Sequence, residues 1–121
     1  MKKILLLVLF FALGNLFAFE HLTKDNFIEN IKGKNVIVDF YATWCPPCKI
    51  LAGTLEDFDK VKPKNVTIYK VDIDQYRNLA ISYGVKALPT LAYFEDGELV
   101  TTEVGLKSVK DLEDSVKEYF E

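Results

Sequence analysis

The sequence has few of the residues that build metal centres or nucleic-acid surfaces. Two cysteines and one histidine among 121 residues are too few for a tetrahedral structural zinc site made from sulfur and nitrogen ligands alone. The net charge of −3 argues against a nucleic-acid-binding protein, which would normally carry a basic patch. Four prolines and 27% charged residues exclude a collagen-like or disordered chain. Repeats, low-complexity tracts and linkers are also absent, so we expect one domain with a packed core.

The first eighteen residues are typical of a secretory signal. Lys2 and Lys3 form a short positive region, and residues 4–13 carry no charged or polar side chain. This run is shorter than the roughly 20 apolar residues that a transmembrane helix needs. No cysteine precedes Cys45, which excludes a lipid-anchored signal. An uncleaved N-terminal anchor and a buried helix are the alternatives to a cleaved signal.

Cleavage is expected after Ala18, or after Gly14, which fits the preference for small residues near the cut better. We therefore interpret residues 1–18 as a signal peptide and residues 19–121 as the folded domain. Export would place both cysteines in an oxidising compartment, where disulfides persist.

From residue 19 onward, strand-like and helix-like patterns alternate, which is typical of an α/β domain. The run 36–42 is apolar on both faces, as expected for a buried central strand. The other predicted strands are 19–22, 66–71, 90–94 and 99–104, the last two joined as a hairpin through residues 95–98. Four helices are predicted, with apolar sides formed by Phe27, Ile28 and Ile31; by Leu51, Leu55, Phe58 and Val61; by Leu79, Ala80 and Tyr83; and by Val109, Leu112, Val116 and Phe120. Cap residues 23–26 begin the first of these helices, Gly33 and Gly84 end the first and third, and the last starts after Ser108.

The two cysteines stand where the central strand meets the next helix, in the segment Trp44-Cys45-Pro46-Pro47-Cys48-Lys49. A disulfide between them would close a very small ring, which gives little chain-entropy stabilisation, so the placement favours reactivity. The helix N-terminus stabilises a thiolate and lowers the pKa of Cys45, which makes this residue the nucleophile. Cys48 would then resolve the mixed disulfide. A structural disulfide and a metal site, to which only His21 could contribute, are the alternatives.

Asp39 is a charged residue inside the otherwise apolar central strand. Burial of an ionised carboxylate is costly, so the pKa of Asp39 should rise. A carboxylate at a strand edge, hydrogen-bonded to a neighbour, is the other interpretation.

Residues 38–49 resemble the strand and active-site motif of the thioredoxin family, residue by residue. Residues 70–74 match the following strand and turn, residues 83–90 match the loop that faces the cysteines, and Gly105 matches a glycine near the last helix. The resemblance covers essentially all of residues 19–121. It implies a thioredoxin fold, an α/β domain with a central mixed β-sheet flanked by helices on both faces.

The resemblance also implies roles for individual residues. Cys45 and Cys48 would form the redox-active disulfide, and Asp39 would act as the general base that takes the proton from Cys48. Lys70 resembles the family lysine that approaches this carboxylate and tunes it; an ordinary strand lysine reaching toward solvent is the alternative.

For substrate binding, the resemblance implies an apolar rim made by Trp44 and residues 83–88 around Cys45. It also implies a cis peptide bond before Pro89, with the backbone of Leu88 offered to an extended substrate. Trp44 could instead be a partly buried core aromatic, and Tyr41 is expected in the core. The predicted substrate-binding residues are Trp44, Pro46, Pro47, Leu88, Pro89 and Gly105.

Three features depart from the family pattern. Pro46 stands where cytosolic thioredoxins have glycine; it removes one N–H from the helix N-terminus, which should favour a slightly more reducing protein. Gly53 stands where many members have a helix-kinking proline. The predicted signal is the largest departure, because a cytosolic reductase would not reach an exported protein.

We therefore predict an exported, monomeric thiol–disulfide oxidoreductase that reduces protein disulfides in the periplasm. Its substrates would be cysteine-containing exported proteins, and a membrane protein that relays electrons from the cytosol would be its donor. No cofactor beyond its own disulfide, no metal and no nucleic acid is expected. The alternatives are a periplasmic disulfide donor, although such oxidants usually carry a helical insertion for which this chain has no room, and a non-catalytic binding subunit.

Overall fold

A computed structural model describes residues 19–120 of the chain. The predicted signal, residues 1–18, therefore lies outside the described residues. Five strands form one mixed sheet in the order β1-β3-β2-β4-β5. The strands are β1 (Glu20–His21), β2 (Asn35–Tyr41), β3 (Val66–Asp72), β4 (Thr90–Glu95) and β5 (Glu98–Val104), and the helices are α1 (Phe27–Ile31), α2 (Pro46–Asp59), α3 (Arg77–Ser82) and α4 (Val109–Tyr119).

The central position of β2 follows from its composition. Its five inner residues are all buried, as the apolar run predicts for a strand covered on both faces. It pairs in parallel with β3 and antiparallel with β4. β1 adds in parallel to β3, and β5 adds antiparallel to β4. The mixed sheet confirms the predicted fold class.

Alternate side chains of β2 point into two separate hydrophobic cores. Val36, Val38 and Phe40 belong to a core that includes residues of α1 and α3. Ile37 belongs to a second core, which includes residues of α2 and α4. Helices therefore cover both faces of the sheet, as predicted. Asp39 shares the parity of Ile37, so it lies on the face that α2 and α4 cover.

The turn and cap signals in the sequence also correspond to the structure. Asp96 and Gly97 both have positive φ, 50° and 82°, as a two-residue hairpin turn requires. Ser108 caps α4, because its hydroxyl accepts from the N–H of Asp111 at 3.0 Å and the Asp111 carboxylate accepts from the N–H of Ser108 at 2.9 Å. Gly53 lies inside α2, which runs unbroken past it.

Two predictions about the apolar helix sides were wrong. In α1 only Phe27 and Ile31, one turn apart, reach the core, whereas Ile28 lies about 100° around the helix from Phe27 and its side chain is 52% exposed. α2 ends at Asp59, which leaves Val61 beyond the helix and exposed. Within residues 19–120, none of the helices is long and apolar enough to cross a membrane.

Candidate active site

Cys45 and Cys48 form a disulfide where β2 leads into α2. Cys45 is the N-cap residue of α2, and its sulfur accepts a hydrogen bond from the N–H of Cys48 at 3.2 Å. Pro46 and Pro47 occupy the first helical turn, where a missing N–H removes no helical hydrogen bond. Both prolines are exposed, whereas both cysteines are buried. The sulfur atoms therefore lie just beneath the surface at a helix N-terminus, where positive potential favours a thiolate.

Asp39 is fully buried in β2, two residues before the strand ends. Neither carboxylate oxygen has a hydrogen-bond partner among the described residues. Burial raises the pKa of Asp39 from 3.8 to about 6, against an opposing effect of the Lys70 charge. The interpretation of Asp39 as a hydrogen-bonded carboxylate at a strand edge is therefore wrong. The side chain has the burial and the raised pKa expected of a group that can exchange a proton near neutral pH.

Lys70 is directly opposite Asp39 on the neighbouring strand β3. Its Nζ atom lies 4.0 Å from Oδ2 of Asp39, and its side chain is only 16% exposed. Lys70 is thus turned toward the carboxylate rather than reaching into solvent. It also lines a cavity of about 230 Å³ together with Cys48, Tyr41, Thr43, Lys49 and Ala52. This cavity brings the predicted resolving cysteine and the partner of Asp39 into one space.

Trp44 precedes the cysteines and is 64% exposed. Its indole Nε1–H donates a hydrogen bond to Oδ2 of Asp74 at 2.7 Å, which fixes the ring on the surface. The interpretation of Trp44 as a core aromatic is therefore wrong. Asp74 belongs to the matched segment 70–74, but the sequence does not show which side chain it would bind.

The loop before β4 lies next to the cysteines. The Leu88–Pro89 peptide bond is cis, as the resemblance implied. Leu88 is half-buried against the cluster that contains Cys45 and Cys48. The N–H of Gly105, whose φ is 96°, donates to the carbonyl oxygen of Pro89 at 2.9 Å. Gly105 is thus bound to Pro89, and Leu88, which precedes Pro89, packs against the cysteines.

Two aromatic residues differ from the sequence interpretation. Tyr83 was expected on the apolar rim, but its ring packs 5.1 Å from those of Phe27 and Phe94, in the core on the other face of the sheet. Tyr41 was expected in the core, but it is only half-buried. Its hydroxyl makes a hydrogen bond of 2.8 Å with Nε2 of His21, a contact that no sequence pattern indicates.

In the part of the chain that the structure describes, no group of three or more histidine, cysteine, aspartate or glutamate side chains could hold a metal ion. The reactive groups at this site include the sulfurs of Cys45 and Cys48, and the amine of Lys70, which lines the cavity beside Cys48 and lies 4.0 Å from the Asp39 carboxylate.

The fold and the paired cysteines define a thiol–disulfide oxidoreductase. A family model described as Thioredoxin matches residues 18–118. The chain is 40% identical to a thioredoxin of Bacillus subtilis over 97 residues, which are 80% of this chain and 93% of that protein. It is 43% identical to a thioredoxin of Chlamydia trachomatis over 74% of this chain and 87% of the relative. The chain belongs to the thioredoxin family.

Membership of this family gives the general activity. The protein is a disulfide oxidoreductase that acts on disulfide-containing proteins, and its redox group is its own Cys45–Cys48 pair rather than a bound cofactor.

Proposed function

We propose that this protein reduces disulfides of exported proteins, with Cys45 as the nucleophile, Cys48 as the resolving thiol and Asp39 as the general base. The observation that carries the proposal is the buried carboxyl group of Asp39, which lacks hydrogen-bond partners among the described residues and has a pKa raised to about 6. A proton acceptor of this kind suits a reduced dithiol that must lose a proton in each turnover.

The first step forms a mixed disulfide. The Cys45 thiolate attacks one sulfur of the substrate disulfide, a new bond forms between Cys45 and that sulfur, and the substrate bond breaks. The second substrate sulfur leaves as a thiolate and takes up a proton from water. The helix N-terminus and the N–H of Cys48, which contacts the Cys45 sulfur, stabilise the attacking thiolate.

The second step releases the substrate. Asp39 accepts the proton of Cys48, and the Cys48 thiolate attacks the sulfur of Cys45. The mixed disulfide breaks, the first substrate sulfur leaves as a thiolate, and the Cys45–Cys48 disulfide forms. Two electrons have then passed from the protein to the substrate. Lys70 tunes the step because its positive charge opposes protonation of Asp39.

The surface around the disulfide would bind an extended substrate segment. Trp44 is fixed beside Cys45 by its hydrogen bond to Asp74, and Leu88 lies against the cysteine cluster. Pro46 and Pro47 are exposed, and Pro89 is held by Gly105. We assign substrate contacts to Trp44, Pro46, Pro47, Leu88, Pro89 and Gly105.

The direction of exchange is tested by the equilibrium reduction potential of the Cys45–Cys48 pair, titrated against glutathione or dithiothreitol. Reference values are about −270 mV for thioredoxin and about −120 mV for a strong periplasmic oxidant. A potential at or below roughly −250 mV supports reduction, with a membrane-bound dithiol relay as the donor. A potential above roughly −160 mV would show that the protein donates its disulfide instead.

A non-catalytic binding role is tested separately. The doubly substituted Cys45→Ser, Cys48→Ser protein should lose its cellular role entirely if the protein works by exchange. A binding subunit would keep that role, and circular dichroism of the variant checks that the fold is intact.

Export is supported by the positive and apolar pattern of residues 1–18, nearly all of which precede the part of the chain matched by the family model. The test is a fusion of these residues to a reporter enzyme that is active only outside the cytoplasm. Lys2→Glu with Lys3→Glu is the matched control and should reduce export. N-terminal sequencing of the mature protein distinguishes cleavage after Ala18 from cleavage after Gly14, and an active fusion that stays uncleaved would indicate an anchor.

A further inference from the structure

Three polar residues form a row across three adjacent strands. In the pairing register, His21 of β1 is opposite Lys70 of β3, and Lys70 is opposite Asp39 of β2. Cross-strand partners project from the same face of a sheet, so the three side chains lie side by side. Tyr41 follows Asp39 by two residues and therefore projects from that face as well.

Tyr41 contacts two members of this row, His21 and Lys70. Its hydroxyl makes a 2.8 Å hydrogen bond with Nε2 of His21. The Nζ atom of Lys70 lies over its ring, 4.4 Å from the ring centroid, which is within the distance of a cation–π contact. The same Nζ atom is 4.0 Å from Asp39. The ammonium group is thus held between an aromatic ring and a buried carboxylate.

We propose that Tyr41, anchored by His21, is a positioning residue for the dithiol reaction, and that its ring holds the ammonium group of Lys70 beside Asp39. The proposal rests on the proposed function of Asp39 as general base. Tyr41 also packs against the cluster that contains Cys45 and Cys48, but in this assignment both Tyr41 and His21 act through Lys70.

A holding group is needed because Lys70 has room to move away. Its side chain lines the cavity of about 230 Å³, and a long lysine side chain gains rotamer freedom and hydration when its ammonium group turns to solvent. The contact with Asp39 at 4.0 Å is too long to be a strong hydrogen bond and would not hold the amine alone. The ring of Tyr41 supplies the second contact, and the hydrogen bond to His21 fixes the ring.

Other charges near Asp39 do not replace Lys70. Asp72 of β3 is opposite Tyr41 and is negative, so it cannot stabilise an ionised Asp39. Lys49 of α2 lines the same cavity but is itself exposed to solvent. Cys48 of α2 carries no charge while it is in the disulfide. Lys70 is the cation that opposes the effect of burial on the Asp39 carboxyl group.

The test is the titration of the Asp39 carboxyl carbon by NMR in the oxidised full chain, in which neither cysteine titrates. Tyr41→Leu removes the ring contact and should raise the Asp39 midpoint by about 1 pH unit, the lower end of the effect of a nearby opposite charge. Tyr41→Phe and His21→Ala, which remove only the hydrogen bond that anchors the ring, should raise the midpoint by a smaller amount. Because Tyr41 is half-buried and His21 is exposed, these variants test the contact without opening the core.

The control is a second tyrosine with a lysine, on the other face of the sheet. The hydroxyl of Tyr69 accepts a hydrogen bond from Lys34 at 2.8 Å, and that amine lies 5.5 Å from the ring centroid. Tyr69→Phe should leave the Asp39 midpoint unchanged. In a Lys70→Met background, Tyr41→Leu should add no further shift, because the two residues act through one charge.

An unchanged midpoint in Tyr41→Leu, or an equal further shift in the Lys70→Met background, would overturn the proposal. Failure of the proposed function has a different result. If Asp39 is not the base, the midpoint still moves in Tyr41→Leu, but the pH profile of disulfide reduction does not follow it. The positioning role in the reaction would then be excluded, while the contact itself would stand.

Discussion

The surroundings of the Asp39 carboxyl group disfavour its ionised form. The group is fully buried and lacks hydrogen-bond partners among the described residues, and only the ammonium group of Lys70 offsets this cost. Proteins keep such a group where its chemistry is used, because an apolar residue of similar size would be more stable there. The sequence reveals this residue because a single charge interrupts an apolar strand.

The raised pKa of Asp39 makes the stability of the protein depend on pH. Folded Asp39, with a pKa of about 6, retains a proton that the unfolded chain, at 3.8, releases. Stability should therefore fall as pH rises from about 4 to about 6, by about 3 kcal/mol, and stay low above that range. Asp39→Asn should abolish this fall and be the more stable protein at pH 7.

Urea denaturation of the oxidised proteins across this pH range measures the difference. Asp57→Asn is the control. Asp57 is exposed on α2, so its replacement should leave the decrease in stability between about pH 4 and about pH 6 unchanged. Parallel pH profiles for Asp39→Asn and the unsubstituted protein would contradict the prediction.

Asp39→Asn should also slow disulfide reduction at pH 7. Loss of a general base usually costs about 10²–10⁴-fold in rate, and we expect about 100-fold because water in the cavity beside Cys48 can accept the proton instead. Single-turnover reduction of a protein disulfide, followed from pH 5 to pH 9, measures it. The mixed disulfide should accumulate in the variant, and resolution at the unsubstituted rate would contradict the role.

Trp44 should contribute to substrate binding rather than to folding, because it is 64% exposed. Trp44→Ala should lower kcat/KM for a protein disulfide by about tenfold. It should change the free energy of unfolding by no more than about 0.5–1 kcal/mol. Val61→Ala, at a similarly exposed residue beyond α2, is the control and should change neither quantity. If Trp44→Ala lowered kcat/KM equally for protein disulfides and for small-molecule disulfides, a surface contact between Trp44 and the protein substrate would be contradicted.

At the scale of elements, one carboxylate joins β4, β5 and α4. Glu103 of β5 accepts hydrogen bonds from the hydroxyls of Tyr93 at 2.9 Å, Ser115 at 2.8 Å and Tyr119 at 3.0 Å. Tyr93 is fully buried, so its hydroxyl depends on this acceptor. The last helix is thus attached to the sheet by polar contacts as well as by its apolar side.

Glu103→Gln should weaken this attachment. An amide is neutral and has one acceptor oxygen where the carboxylate has two. All three hydroxyls therefore lose a charged acceptor and at least one loses its acceptor altogether, at a cost of about 1–3 kcal/mol in the free energy of unfolding. The reduction potential should not change, since the network lies away from the cysteines. Chemical denaturation measures the loss, and Glu113→Gln on the exposed side of α4 should show none.

The elements and the cysteine motif could be predicted from the sequence, because apolar periodicity and cap residues are local signals. The exposure of Ile28 could not, since it depends on which side of α1 packs against the sheet. The contact between Tyr41 and His21 and the network of Glu103 were also missed. Both join side chains from different strands or from a strand and a helix, and their meeting is set by register and packing, which a single sequence does not specify.

At the scale of the whole molecule, the disulfide links redox state to stability. The folded structure and the disulfide stabilise each other by the same free energy. If folding lowers the reduction potential of the disulfide by about 30 mV, the disulfide stabilises the folded state by about 1.4 kcal/mol. If the protein is a reductant, the oxidised form should be more stable than the reduced form, by about 2 kcal/mol for so small a ring.

Denaturation with and without dithiothreitol measures this difference. The free energy of unfolding of the Cys45→Ser, Cys48→Ser protein should be the same with and without dithiothreitol. A reduced form more stable than the oxidised form would indicate a disulfide donor, since strong oxidants gain their potential from a stabilised reduced state.

The position of Trp44 has one more consequence. It is the sole tryptophan of the 121 residues, it is exposed, and it directly precedes Cys45. A neighbouring disulfide quenches the excited indole ring, whereas a pair of thiols does so less, so emission should brighten when the sulfur–sulfur bond opens. Every copy of the protein therefore carries an internal fluorophore at the place where electrons enter and leave, and its brightness follows turnover without any added label.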